Sequence, residues 1–317
     1  MDMKSEAQFL ELIDTYFPRE HDFLTLGRGD DCAVLAGGRE YCVSSDIFLE
    51  DVHFRRDYFS AADIGYKALA VNVSDIAAMG AKPVAFTLDL MVPPGLDDAF
   101  WNDFFKSMSS LAKQNDMVLA GGDLSRSDRL GMSISIYGVA GSTGFLRRGK
   151  CAYGDILFTV GDIGLARAGL MALEAAGVKA RETLPAAVMA HLRPKPKVMI
   201  GTLLNAAGIK GLMDVSDGLA RDLPRFLGPN LGADLHIDVS RLNSNLITFA
   251  ETVNVDPVEF AVLGGEDYAL LGAVSPFEAG KAESVPGFMK IGTVTKTPGI
   301  ILNDKPFTTE GFDHFGK

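Results

Sequence analysis

Apolar runs of strand length alternate along this chain with longer helix-like stretches, and acids cluster beside small residues near the junctions. That alternation confines the chain to an α/β or α+β fold. "YCVSSDIFL" (41–49) reads as a β-rich run, and "AADIGYKALAVNVSDIAAMGA" (61–81) as an alanine-rich helix with Asp75 deep inside it. "VAFTLDLMV" (84–92) is a strand ending at Pro93-Pro94, and 97–116 has helical spacing after an acidic first turn. "MVLAGGDLS" (117–125) reads as a short strand entering a Gly-Gly turn, and "GMSISIYGVAG" (131–141) alternates in strand fashion. A second unit begins near Phe145. "GDILFTVGDIG" gives strand and glycine turn before a helix, "HLRPKPKVMIGTLLNAAG" a proline-marked helix, and "GLMDVSDGLARDL" strand, turn and helix. "FAVLGGEDYALLGAV" (260–274) reads as a strand, a Gly-Gly turn, then a strand or helix. The expectation is two domains, 1–144 and 145–317, with no alignable repeat between them.

With 317 residues, 47% of them hydrophobic, the chain has room for one large domain or two of ordinary size and can bury a sizeable core. No apolar run reaches the roughly 18 residues that span a bilayer. The N-terminus reads as an amphipathic helix, with Phe9, Leu10, Ile13 and Phe17 on one stripe, so no membrane partner is expected. Cys32, Cys42 and Cys151 form no CxxC pair and are too few for a disulfide framework; a cytoplasmic location is expected. A net charge of −11 argues against nucleic-acid binding, which needs basic patches. A phosphate-bearing ligand would need cations or a local Arg/Lys cluster to approach.

The acids recur at turn-like positions beside apolar runs: Asp30 and Asp31, Asp46, Asp75, Asp123, Asp214 and Asp217, then Glu266 and Asp267. Any one of them alone is turn or cap chemistry. As a set they sit where sites form in α/β folds, beside glycines that let a ligand approach the backbone. Converging carboxylates repel by about 4 kcal/mol per pair at ~4 Å and an effective dielectric of ~20. Hard cations remove that repulsion, and an oxygen-only donor set points to Mg²⁺ or Ca²⁺ rather than zinc. "VSD" occurs twice, at 73–75 and 215–217, once in each half. "GFLRRGKC" (144–151) matches G-x-x-x-x-G-K, but Cys151 stands where a phosphate loop has Ser or Thr, and a strand follows rather than a helix. It is a near miss, although it gathers Arg147, Arg148 and Lys150 as a candidate anion contact.

Taken in order, "GRGDDCAVL", "SSDIFLEDVHF", "GYKALAVNVSDIAAMGAKP", "GGDLSRS", "RRGKCAYGD", "HLRPKPKVMIG", "MDVSDGLARDL", "LGGEDYALL" and "GFDHF" resemble the thiamine-monophosphate kinase family. Its superfamily also holds aminoimidazole ribonucleotide synthetase, selenophosphate synthetase and a hydrogenase maturation factor. The resemblance covers about residues 27 to 315. It implies a two-domain synthetase-like fold, an N-terminal mixed sheet packed by helices plus a C-terminal α/β domain. It implies transfer of the γ-phosphoryl of ATP to thiamine phosphate with several Mg²⁺ ions, and a homodimer in which N-terminal strands share a barrel.

Carried over residue by residue, the resemblance assigns metal ligands to Asp31, Asp46, Asp75, Asp123, Asp214 and Asp217, with the Ser45 hydroxyl and the Ser44 backbone. Phe105, Gly122, Asp123, Arg148 and Ser216 match nucleotide contacts; His53, Glu266 and Phe312 match substrate contacts. Asp75, Asp123, Arg148 and Asp217 form the expected catalytic set. The family often has Thr-Thr-Asp where this chain has Ser44-Ser45-Asp46, and a tyrosine is common at the Phe105 position. Whether Glu266 meets the thiazolium or the aminopyrimidine stays open. The acceptor phosphate monoester is mostly ionised near neutrality, so no general base is needed and none is evident. The competing readings are another ATP-dependent enzyme of the superfamily, of selenophosphate or aminoimidazole ribonucleotide synthetase type, and a non-catalytic nucleotide- or metal-binding protein.

Overall fold

The computed structural model describes residues 24–26, 29–36, 40–209 and 211–308. The expected N-terminal helix and Phe312 lie outside the described residues. Two sheets carry the fold. The first is mixed, in the order β1(Leu24–Leu26), β2(Ala33–Leu35), β3(Tyr41–Leu49), β6(Gly131–Val139), β4(Lys82–Val92), β5(Val118–Arg126), with only the β4–β5 pair parallel. The second runs β13(Lys305–Phe307), β12(Gly299–Leu302), β9(Gly232–Leu235), β11(Phe288–Thr295), β7(Ile156–Val160), β10(Ala269–Val274), β8(Gly211–Val215). Both are flanked by helices, as an α/β (α+β) reading requires.

Helix α1(Ala61–Ala78) is the element between the two halves. A Ser60–Asp63 capping box starts it, and small residues along its length let neighbours approach closely. At Gly65 a Cβ would lie 2.2 Å from the carbonyl of Phe104 in α2(Asp98–Gln114). Fourteen of its eighteen residues are buried, so this is not a surface helix with one wet face. Its polar residues must find protein partners, and three of them find theirs in the second domain. Asp63, Lys67 and Ser74 fall at i, i+4 and i+11, on one stripe. Asp63 accepts from Arg181 Nη2 at 2.7 Å and Arg193 Nε at 2.5 Å; Lys67 reaches Glu266; Ser74 reaches Asp214.

Helices α3(Leu165–Ala176), α4(Pro185–Leu192), α5(Val198–Ala206), α6(Leu219–Leu227), α7(Ser244–Thr252) and α8(Pro257–Val262) belong to the second domain. Alternation in β8 sends Met213 and Val215 into the core with α6 and α8, and Leu212 and Asp214 to the other face, towards α1. Ala77 and Ala78 at the end of α1 join Leu204, Leu212 and Leu270 in one apolar cluster.

Two local readings of the sequence differ from the structure. Residues 260–262 are helical, because Pro257 opens α8 and Asp256 caps it by accepting from Val258 and Glu259 N–H at 3.0 Å. Gly121-Gly122 makes no turn; β5 continues through it, with a bulge at Ala120 just before the pair. Gly122 lies so close to β4 that a Cβ would meet the Leu88 carbonyl at 1.8 Å, so glycine serves strand approach there. Among the described residues no helix is long and apolar enough to cross a membrane.

Candidate active site

Three acids from three parts of the chain meet where the domains join. Asp31 lies just before β2, Asp75 one turn from the end of α1, and Asp214 near the end of β8. Each offers a carboxylate oxygen, and these oxygens lie within 4.8 Å of one another. On β3, alternation puts Ser44 and Asp46 on the α1 side with buried Cys42 and Phe48. The Ser44 hydroxyl donates to Asp75 Oδ2 at 2.5 Å, and the Ser74 hydroxyl to Asp214 Oδ2 at 2.7 Å. Arg148, in the link between the sheets, donates through Nη2 to Asp31 Oδ1 and through its backbone N–H to Asp30.

The electrostatics follow from burial first. Burial pushes the Asp31 carboxyl up to about 7 against the pull of Arg148, with Asp214 adding to the rise. Burial likewise takes Asp214 up to about 6, opposed by the Ser74 hydroxyl and Arg148. Asp75 is driven well above the carboxylate range by burial and then by Asp46, Asp214 and Asp31. Asp46 is raised by burial. Such a group stays anionic only if cations neutralise it.

The donor set fits Mg²⁺. All three convergent acids offer oxygen, and Asp31 Oδ2 is buried without a hydrogen-bond partner, an acceptor left over by the protein itself. The bound charge would also reverse the repulsion that now favours protonation.

Loops 161–164, 216–218 and 264–268 lie at one end of the second sheet, beside Asp214. They touch backbone to backbone: a Cβ on Gly264 would lie 2.3 Å from Gly164 Cα, and one on Gly265 would lie 2.7 Å from the Ser216 carbonyl. Ser216 and Asp217 both donate their N–H to Asp222 Oδ2, at 3.0 and 2.9 Å. The Asp217 carboxylate meets Arg225 Nη1 at 2.7 Å and is outside the three-acid group. Glu266 adopts a left-handed φ of 62° and donates its N–H to the Ser216 carbonyl at 2.6 Å. Its carboxylate meets Lys67 Nζ at 3.1 Å and His191 Nδ1 at 2.9 Å. Asp267 caps α3, accepting from Gly164 and Ala166 N–H at 2.5 and 2.8 Å.

Other expected site residues stand apart within one protomer. Ser45 faces the opposite side of the sheet, where its hydroxyl bonds Ser135 at 2.9 Å. Asp123 is exposed and level with Asp89, Ser133 and Ile47 in the register; β6 and β4 separate its strand from β3, roughly 14 Å at the usual strand spacing. Phe105 opens onto a cleft of about 490 Å³ along α2, lined also by Asp98, Trp101 and Lys106 and by none of the acids. His53 sits in the turn after β3, its Nδ1 accepting from Leu49 N–H at 3.0 Å. Arg148 turns inward, whereas Lys150 lines a different cleft with Cys151, so the basic run does not act as one patch.

Sequence reasoning missed Asp222, Lys67 and His191. A lysine inside an alanine-rich, mostly buried helix is the signal for Lys67. Asp222 had only ordinary first-turn placement in its helix, and His191 had none.

The chain matches two family models, the N-terminal domain of AIR synthase related proteins over residues 29–140 and their C-terminal domain over 152–305. Fold and site therefore define an AIR synthase related protein. Thiamine-monophosphate kinase of Bacillus subtilis (strain 168) is 34% identical, covering 96% of this chain and 98% of that protein. The Escherichia coli (strain K12) enzyme of that name is 34% identical over 96% and 97%. AaThiL, solved in complex with AMPPCP and TMP, superposes with a TM-score of 0.85 at 26% identity over 99% of both chains. The chain belongs to the thiamine-monophosphate kinase family.

Proposed function

We propose that this chain catalyses the ATP-dependent phosphorylation of thiamine phosphate to thiamine diphosphate by direct in-line transfer. The observation that carries the reading is the meeting of Asp31, Asp75 and Asp214 across both domains. Family membership supports the activity, and the AaThiL complex with AMPPCP and TMP supports the pair of ligands.

An oxygen of the acceptor phosphate bonds to the γ-phosphorus as the bond to the β–γ bridging oxygen breaks, releasing ADP. Mg²⁺ at the acids supplies the positive charge that two polyanions need to approach. Asp31, Asp46, Asp75 and Asp214 would hold it, with the Ser44 backbone, and Asp123 would join from a second copy; Asp217, paired with Arg225, and the Ser45 hydroxyl, on the far face of its sheet, would reach it only by moving. Arg148 is fixed against Asp31 and keeps a buried Nε–H without a hydrogen-bond partner, a donor to spare for a phosphate oxygen. Phe105, Gly122, Asp123 and Ser216 contact nucleotide; His53, Glu266 and Phe312 contact the acceptor. Asp75, Asp123, Arg148 and Asp217 form the catalytic set. Positioning and electrostatics carry such a transfer, and no base is required.

The second part of the proposal is a homodimer. All nine residues of edge strand β5 are exposed, with Val118, Leu119 and Leu124 bare to between 51% and 71%. A long apolar edge of this kind is normally covered. A second copy there brings Asp123 and Gly122 to the partner's acids. Incubation with ATP, Mg²⁺ and thiamine phosphate tests the reading: equimolar ADP and thiamine diphosphate are expected, and no thiamine diphosphate at any Mg²⁺ concentration refutes it.

A further inference from the structure

Behind Glu266 lies a buried pair of residues that the transfer chemistry does not use. Lys67 of α1 is fully buried and His191 of α4 is 2% exposed, while the Glu266 side chain keeps 30% of its surface open. Both Glu266 oxygens are held from the buried side, Oε1 by Lys67 and Oε2 by His191. His191 Nδ1 lies 2.9 Å from Glu266 Oε2 and more loosely, 3.5 Å, from Lys67 Nζ; a carboxylate can only accept, so the shorter contact assigns the proton to Nδ1, which leaves Nε2 buried without a hydrogen-bond partner and the ring neutral. The Phe59 ring closes the pocket, 5.5 Å from Lys67 Nζ and in edge contact with His191. Each carboxylate oxygen retains a lone pair for the open side.

The charge count decides what that open edge can recognise. One ammonium and one carboxylate cancel, and the imidazole is neutral. Burial would raise the Glu266 carboxyl, but Lys67 and His191 more than offset it and hold it well below the carboxylate range. The edge is thus a permanent hydrogen-bond acceptor without net charge. It suits an uncharged N–H donor better than a cation, whose attraction to the carboxylate Lys67 cancels.

We infer that Lys67 and His191 are positioning residues that neutralise and aim Glu266, so that it accepts from the exocyclic amine of the acceptor's aminopyrimidine rather than pairing with its thiazolium. This rests on the reading of the chain as a thiamine phosphate kinase with Glu266 at the acceptor.

Steady-state kinetics with thiamine phosphate and with oxythiamine phosphate, in which oxygen replaces the exocyclic amine, test it. The wild-type protein should show a KM at least about tenfold higher for the oxygen analogue, since a site built around an N–H rejects its absence. In Glu266→Gln that ratio should fall towards one, because an amide can donate as well as accept. His191→Leu and Lys67→Met should lower the ratio too and raise the KM for thiamine phosphate. KM for ATP and the thermal midpoint report folding in every variant. His191→Asn, which restores a donor at the Nδ1 position, should recover most of the loss. If the wild-type protein makes no thiamine diphosphate, the functional reading itself fails. If Glu266→Gln raises both KM values equally, Glu266 serves the thiazolium and the inference is overturned. If Glu266→Gln collapses the ratio while His191→Leu and Lys67→Met leave it intact, the positioning role is overturned.

Discussion

The Ser74 hydroxyl donates to Asp214 Oδ2 at 2.7 Å, joining residues 140 apart in the chain and belonging to different domains. Next to it, Asp75 takes the Ser44 hydroxyl from β3 at 2.5 Å. One Ser-Asp pair in α1 thus ties the first sheet and the second to a single acidic centre.

Ser74→Ala removes a donor from a buried carboxylate. The expected cost is about 1–3 kcal/mol of stability, read from urea unfolding. The concentration of Mg²⁺ for half-maximal activity should rise as well, because Asp214 loses its orientation. Ser45→Ala, on the far side of the same sheet, should stay within about 0.5 kcal/mol. Equal losses at the two sites would refute a special role for the Ser74 link.

Mg²⁺ should stabilise the protein by mass action, since the acids converge only in the folded chain. At a free concentration of ~100 times the dissociation constant, the gain is about 2.7 kcal/mol. A thermal melt with and without Mg²⁺ measures it. Asp75→Asn should lose most of the gain while folding normally without the ion, because it removes a charge that burial and three acids already disfavour.

Ser216 and Asp217 owe their placement to Asp222, which is fully buried and accepts both N–H groups through one oxygen. Asp222→Asn keeps that acceptor, whereas Asp222→Ala removes it. The alanine variant should raise the KM for ATP about tenfold or more, and the asparagine variant much less. Indistinguishable variants would mean that the loop holds its shape without Asp222.

The two copies of Val-Ser-Asp show how far the sequence could be read. The letters repeat, but the structures do not: 73–75 lies inside α1, and 215–217 leaves β8 for a loop. Asp46 and Asp123 stand within strands rather than at their ends. The sequence put Asp75 deep inside a helix, but did not show that this helix would be buried between two domains with Asp31 and Asp214 against it. Strand and helix patterns were legible because periods of 2 and 3.6 survive in the core. Lys67, His191 and Asp222 were less so, because their partners lie in other elements and only packing brings them together. Asp63 illustrates the same limit. It closes the capping box of α1, yet it also holds Arg181 and Arg193 from the second domain.

His191 should make stability depend on pH. Burial, then the charge of Lys67, lowers its pKa below the usual 6.5, while Glu266 and, more weakly, Glu174 oppose the shift. The folded ring therefore stays neutral as pH falls through about 6.5, while the unfolded chain takes up the proton. The unfolded state binds more protons, so stability falls with pH in this window. By pH 5.5 the loss from this one group can reach at most about 1.4 kcal/mol, the limit for a folded ring that takes up no proton there. His191→Asn cannot take up that proton. Its stability relative to the wild-type protein should therefore improve by up to that amount between about pH 7.5 and 5.5, measured from urea midpoints. A constant difference across the range would show that the folded ring titrates like the unfolded one, with no shift from burial.

The exposed β5 gives a test of subunit sharing. If Asp123 serves the acids of a second copy, Asp31→Asn and Asp123→Asn should each be inactive alone. Mixed after reversible dissociation, they should regain about a quarter of wild-type activity, since half the dimers then contain one intact site of two. No recovery, with mixed dimers demonstrated by tagged pull-down, would place Asp123 and Asp31 in the same protomer's site. Leu124→Lys, at the most exposed apolar position of β5, should shift the protein towards monomer in analytical ultracentrifugation and lower activity in proportion.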